Sequence, residues 1–138
     1  MYLLDTVVLS ELRKRRRDAN VVAWIGSVAE ADLHISVASV VEIEFGIERR
    51  RKRDQAFAEA LAGWLDTTLR VYGERVLPIA AGVARRWGRL APGIGNRDLD
   101  LAIAATALEQ GLTVVTRNVA HFAPAGVATI NPFDARSP

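Results

Sequence analysis

The chain has 138 residues, 50% of them hydrophobic and 25% charged, the size and make-up of one globular domain with a buried core. It has no cysteine, which excludes a disulfide framework, a thiolate metal site and a cysteine nucleophile. The net charge is only +2, yet the isoelectric point is near 9.5 and all but two of the 18 cations are arginine, the residue suited to bidentate contact with phosphate.

The opening Met1-Tyr2-Leu3-Leu4-Asp5 lacks a basic segment followed by a long apolar one, so no signal peptide is expected. No apolar run approaches the roughly 20 residues of a membrane-spanning helix. A cytoplasmic protein without a membrane partner is therefore expected.

Tyr2-Leu3-Leu4 reads as a first strand ended by Asp5, and Thr6 to Leu12 as a helix restarting behind it. Residues 21 to 29 have helical spacing, and Leu33-His34-Ile35-Ser36 is a compact second strand. Val40 to Ile47 leads through Gly46 into one long amphipathic stretch that reaches about Tyr72, and Val76-Leu77 is a brief third strand stopped by Pro78. A helix is expected from Ala80 to Leu90, followed by a loop over Ala91-Pro92-Gly93-Ile94-Gly95-Asn96. Leu99 to Gln110 is an alanine-rich helix closed by Gly111. Thr113 to Thr116 and Val127 to Ile130 supply the fourth and fifth strands. Short apolar strands alternating with longer helices, with no tight hairpin signals, predict an α/β domain whose parallel sheet of about five strands is covered on both faces. Without an internal repeat or linker, residues 1–138 form one domain.

In open parallel sheets the functional crevice lies beyond the carboxyl ends of the strands. Asp5 closes strand one, and Asn118 follows strand four. Glu42 and Asp100 interrupt the apolar segments Val40-Val41-Glu42-Ile43 and Leu99-Asp100-Leu101-Ala102-Ile103, where an ionised carboxylate is costly unless it is paired, hydrogen-bonded or bound to a cation. Each acid also has a structural reading. Ser39-Val40-Val41-Glu42 fits a capping box, Asp98 complements a helix dipole, and Asp5 fits a helix cap. Together, however, three segments deliver carboxylates to one sheet edge, where they repel unless a divalent cation neutralises them. Oxygen ligands suit Mg²⁺ or Mn²⁺, and the chemistry suggested is metal-assisted phosphodiester hydrolysis.

These residues resemble the PIN-domain ribonucleases and, among them, the VapC toxins of type II toxin–antitoxin modules, in particular the FitB-like branch. The resemblance rests on Leu3-Leu4-Asp5-Thr6 with Ser10-Glu11, on Ile35-Ser36 through Glu42-Ile43-Glu44-Phe45-Gly46, on Asp100 to Ala107, and on Val115-Thr116-Arg117-Asn118-Val119-Ala120-His121-Phe122. It implies a PIN-like three-layer domain in which Asp5, Glu42 and Asp100 bind Mg²⁺ or Mn²⁺. A fourth, often acidic, position of the family corresponds to Asn118, an amide that can orient a water but brings no charge. Thr6 and Thr116 look like groups that hydrogen-bond waters or ligands around the metal, and Asp98 adds charge nearby. An RNA substrate, a homodimer, a small neutralising antitoxin and operator DNA reached only through that antitoxin are also implied.

No serine–histidine pair or P-loop competes for the chemistry. His34 falls in a strand and reads as a core or edge residue; His121 lies near enough to the expected site to contact substrate, although a structural role also fits. The runs Arg13-Lys14-Arg15-Arg16-Arg17 and Arg49-Arg50-Arg51-Lys52-Arg53 fit solvated helix ends, a polyanion-binding surface or the seat of an acidic partner. Trp24, Phe45, Phe57 and Trp64 are expected mainly in the core, any left exposed forming a groove for a partner helix or a homodimer face. The main reading is an endoribonuclease toxin; the alternative is a catalytically weak module acting as the antitoxin-bound half of a DNA-binding complex. A phosphoacceptor domain is set aside, because it calls on a lysine near the late strands and only Lys14 and Lys52 are present.

Overall fold

A computed structural model of the chain describes residues 1–95 and 98–135. Five short strands form one parallel sheet: β1 (Tyr2–Leu4), β2 (Leu33–Ser36), β3 (Val76–Leu77), β4 (Thr113–Val115) and β5 (Thr129–Ile130), in the spatial order β3-β2-β1-β4-β5. The helices are α1 (Thr6–Arg13), α2 (Ala19–Gly26), α3 (Val37–Arg51), α4 (Gln55–Tyr72), α5 (Ala81–Ile94), α6 (Leu99–Gln110) and the single turn α7 (Val119–Phe122).

Alternation along the strands creates the layers. Leu4 and Val115 point into a core built with Val8, Leu9, Trp24, Ile43, Ile47 and Leu65 from α1 to α4. Their neighbours Leu3 and Val114 point the other way, against Ala102, Ile103, Ala104, Ala107 and Phe122 of α6 and α7. Both faces of the sheet are thus covered, which is why β1 and β4 carry apolar residues at successive positions rather than alternating with polar ones. The register pairs Leu3 with His34 on one side of β1 and with Val114 on the other. Strand order therefore reverses at β1 and β4, and the crevice of such a sheet opens beyond their carboxyl ends.

Several boundaries differ from the sequence reading, each for a local reason. The long stretch ending at Tyr72 is two packed helices, broken at Lys52–Asp54, where Asp54 accepts the Phe57 N–H and caps α4. The expected loop from Ala91 is the last turn of α5, which carries Pro92 and stops at Gly95 with φ 74°; Asn96 lies outside the described residues. Helix α2 begins earlier, at Ala19, because Asp18 accepts the N–H groups of Asn20 and Val21. His34 is buried beside the Tyr2 and Asp32 carbonyls, the core role expected of it. Trp24 is likewise buried and Phe57 and Trp64 are half-buried, but Phe45 is 65% exposed, contrary to its expected core position, with Arg49 over its ring.

Candidate functional site

Asp5 occupies the switch point. It follows β1 directly, and its N–H donates to Val115 O of β4, so the sheet itself fixes it. Its carboxylate caps α1, with Oδ1 accepting the Thr6 N–H at 2.8 Å, while Oδ2 accepts the Thr116 hydroxyl at 2.7 Å. Both the cap expected of Asp5 and its place at the crevice are therefore realised. Burial is the largest influence on this carboxyl and raises its pKa; the charge of Asp100 raises it further, against the lowering effect of the Thr116 hydrogen bond.

Glu42 enters from α3. The capping-box reading does not hold, because Ser36 is the cap, its Oγ accepting the Ala38 N–H at 3.0 Å, and Ser39 lies inside the helix. Glu42 instead meets α1: Thr6 Oγ1 lies 2.9 Å from Glu42 Oε1 and 2.8 Å from Ser39 Oγ. With one hydroxyl proton to give, Thr6 serves the carboxylate and can accept the proton of Ser39. Burial is again the largest influence and raises the Glu42 pKa; Asp100, Asp5 and Asp98 add repulsion, and the Thr6 hydrogen bond opposes them. Four carboxylates from β1, α3 and the start of α6 thus share one electrostatic neighbourhood.

The start of α6 supplies the other two. Asp98 is its cap, accepting the Leu101 N–H at 3.0 Å, the helix-start role expected of it. Asp100, in the first turn, places Oδ2 3.2 Å from His121 Nδ1. His121 thus lies beside the acids, the placement near the site expected of it, and its mostly exposed ring lines a cleft of about 200 Å³ with Asp98 and Asp100. The contact of Ser39 with Thr6 is missed by the sequence reading, which takes Ser39 for a cap, although it sits three residues before Glu42 and so on the same helix face.

Thr116 joins the late part of the chain to this site. Fully buried, it donates to Asp5 and its Oγ1 accepts the Asn118 N–H at 2.9 Å. Asn118 is exposed, and its side chain does not cap α7.

The donor set around Asp5, Glu42 and Asp100 is all oxygen and crowded with like charge, which fits a hard divalent cation. Among the described residues, no three His, Asp or Glu side chains are close enough to grip one ion directly. Mg²⁺ commonly takes only one or two carboxylates and keeps several waters, so a looser set of acids such as this fits its chemistry.

Comparison with known proteins places the fold in a family. The family model described as PIN domain matches residues 2–125. The chain is 35% identical over 141 residues to "VapC ribonuclease Y4jK" of Sinorhizobium fredii, covering 97% of this chain and 99% of that one. It is 31% identical over 140 residues to "Toxin FitB" of Neisseria gonorrhoeae, covering 96% and 99%. The crystal structure of FitAcB from Neisseria gonorrhoeae superposes with a TM-score of 0.84 at 32% identity, covering 98% of this chain and 100% of that one.

Proposed function

The chain belongs to the PIN domain family, and from that premise we propose that it is a metal-dependent endoribonuclease, the toxin of a toxin–antitoxin pair, hydrolysing RNA phosphodiester bonds. The observation that carries this reading is the convergence of Asp5, Glu42 and Asp100, from three separate elements, on the switch point of a parallel sheet, where each charge is felt by another. The relatives named as a VapC ribonuclease and a toxin support the substrate class and the biological role.

In this reading Asp5, Glu42 and Asp100 hold Mg²⁺, for which Mn²⁺ can substitute. When bound, the ion would polarise the phosphodiester and activate a water for attack at phosphorus. The protein's own contribution is positioning. Thr116 fixes the Asp5 carboxylate, Thr6 fixes Glu42, and the two hydrogen bonds leave each acid an oxygen lone pair to offer. Asp98 deepens the negative potential that attracts a cation. Asn118 stands where an acid is usual in the family, held through its backbone by Thr116, and contributes a neutral amide. The toxin works as a homodimer restrained by a small antitoxin, through which operator DNA is reached, in a reducing cytoplasm. Among the described residues no helix is long and apolar enough to cross a membrane.

The test is cleavage of single-stranded RNA by the purified, partner-free protein. Cleavage is expected with Mg²⁺ or Mn²⁺ and not with a chelator. Cleavage unaffected by the chelator would contradict the metal dependence, and absence of cleavage with both metals would remove the ribonuclease assignment.

A further inference from the structure

We propose that single-stranded RNA, on leaving the acidic site, crosses Gly46 of α3 and seats its phosphates in a basic cleft at the turn between α3 and α4. This inference rests on the ribonuclease reading and adds to it a defined substrate-binding subsite.

Two clefts meet there. The first, about 310 Å³, lies between α1, α3 and α4, with Thr6, Glu42 and Arg13 beside the apolar Ile43, Leu61 and Trp64 and the Phe57 ring. The second, about 450 Å³, is lined by Gly46, Arg49, Arg50, Lys52 and Arg53. Gly46 and Arg50 belong to both, so a path leads from the acidic site to the basic cleft without leaving the surface. A Cβ at Gly46 would meet nothing within 4 Å, so the floor of the path is open.

The arginine run 49–53 is divided in its partners. Arg51 is neutralised by Glu48 and Glu59. Among the described residues, Arg49, Arg50, Lys52 and Arg53 have no ion pair with a carboxylate, though all four line one concavity. Arg49 lies over Phe45 instead, and Arg50 over Phe57 with its guanidinium 4.5 Å from the ring centroid. Arg13, from α1, approaches the same Phe57 ring at 5.5 Å. Rings hold these guanidiniums in place without cancelling their charge. Four cations gathered without acids repel one another, and a polyanion relieves that repulsion while releasing its own counterions. The guanidinium fork also matches phosphate in geometry. An acidic peptide shares the charge, but the continuous path to Glu42 favours a strand whose scissile phosphate sits at the acids.

The experiment measures fluorescence anisotropy of a labelled single-stranded oligouridylate against salt, with a chelator present so that the strand stays intact. Replacing Arg49, Arg50 and Arg53 together by glutamine is expected to weaken binding about tenfold or more at about 0.1 M salt, and to reduce the slope of log affinity against log salt by about 2. The same three positions changed to lysine should keep most of the slope. Changing Arg15, Arg16 and Arg17 to glutamine removes equal charge elsewhere and should have a much smaller effect. All three triple variants alter exposed side chains, and melting curves verify that each is folded. Equal loss in the two glutamine variants would overturn the proposal, as would an unchanged slope at the cleft. So would a cleft variant that keeps RNA binding and loses only an oligoglutamate peptide. Metal-dependent cleavage by the unaltered protein is scored separately, so failure of the cleft is distinguishable from failure of the ribonuclease reading.

Discussion

At the scale of single residues, Asp5 has conflicting duties. Its carboxyl is buried, close to Asp100, and its pKa lies above the ordinary value of 3.8. The folded state therefore binds protons more tightly than the unfolded chain, and stability falls as pH rises from the unfolded pKa through the raised folded one. Asp5→Asn removes that penalty and keeps an oxygen for Thr116 or the helix cap. Its melting temperature at neutral pH is expected to equal or exceed that of the wild type, with the difference shrinking toward acid pH, while cleavage is lost. Calorimetry at a series of pH values checks this, and a variant markedly less stable at neutral pH than at acid pH, relative to wild type, would refute it. That Asp5, Glu42 and Asp100 lie near one another is legible in the sequence because each interrupts or ends an apolar segment at the same sheet edge. Their contacts are not: Thr6 of α1 meets Glu42 and Ser39 of α3 only where the two helices touch, and His121 reaches Asp100 from 21 residues away.

At the scale of elements, serine placement misled the reading of α3. Ser36 and Ser39 both offer a capping hydroxyl, and only the fold shows that Ser36 ends β2 and starts the helix, which moves Glu42 into the second turn and frees it from the backbone. The break between α3 and α4 was similarly hidden, because Lys52-Arg53-Asp54 continues the polar face of an amphipathic helix. Asp54 makes the break by capping α4. Asp54→Ala is expected to cost about 1 kcal/mol in urea denaturation, within the usual range for a lost N-cap; no loss would mean that packing alone sets the start of α4. Pro92-Gly93 reads as a loop because those residues punctuate most chains, yet α5 runs through them, forgoing the bond that a Pro92 N–H would give to the carbonyl four residues earlier, and stops just beyond at Gly95. All five strands are legible in the sequence because both faces of the sheet are covered and β1 and β4 are mostly apolar, although β4 ends at Val115 rather than Thr116 and β5 is only Thr129–Ile130 of the expected Val127 to Ile130.

At the scale of the whole molecule, the near-balanced charge conceals a division. Asp5, Glu42, Asp98 and Asp100 share one neighbourhood, while Arg49, Arg50, Lys52 and Arg53 gather in a cleft that joins it through Gly46. The strand order β3-β2-β1-β4-β5 produces this division, bringing the ends of β1 and β4 together and laying α3 and α6 beside them. A parallel sheet was expected from the sequence, but not the strand order, because that depends on which side of β1 the chain crosses back to. The central claim is that these acids act together on RNA through a metal, and Asp100→Asn tests it most directly. Asp100 lies in the first turn of α6, where Asp98 already provides the cap, so the fold does not depend on its charge. In a gel assay of single-stranded RNA with Mg²⁺, the purified variant is expected to show no cleavage while melting close to the wild type; full cleavage by a folded Asp100→Asn protein would contradict the claim.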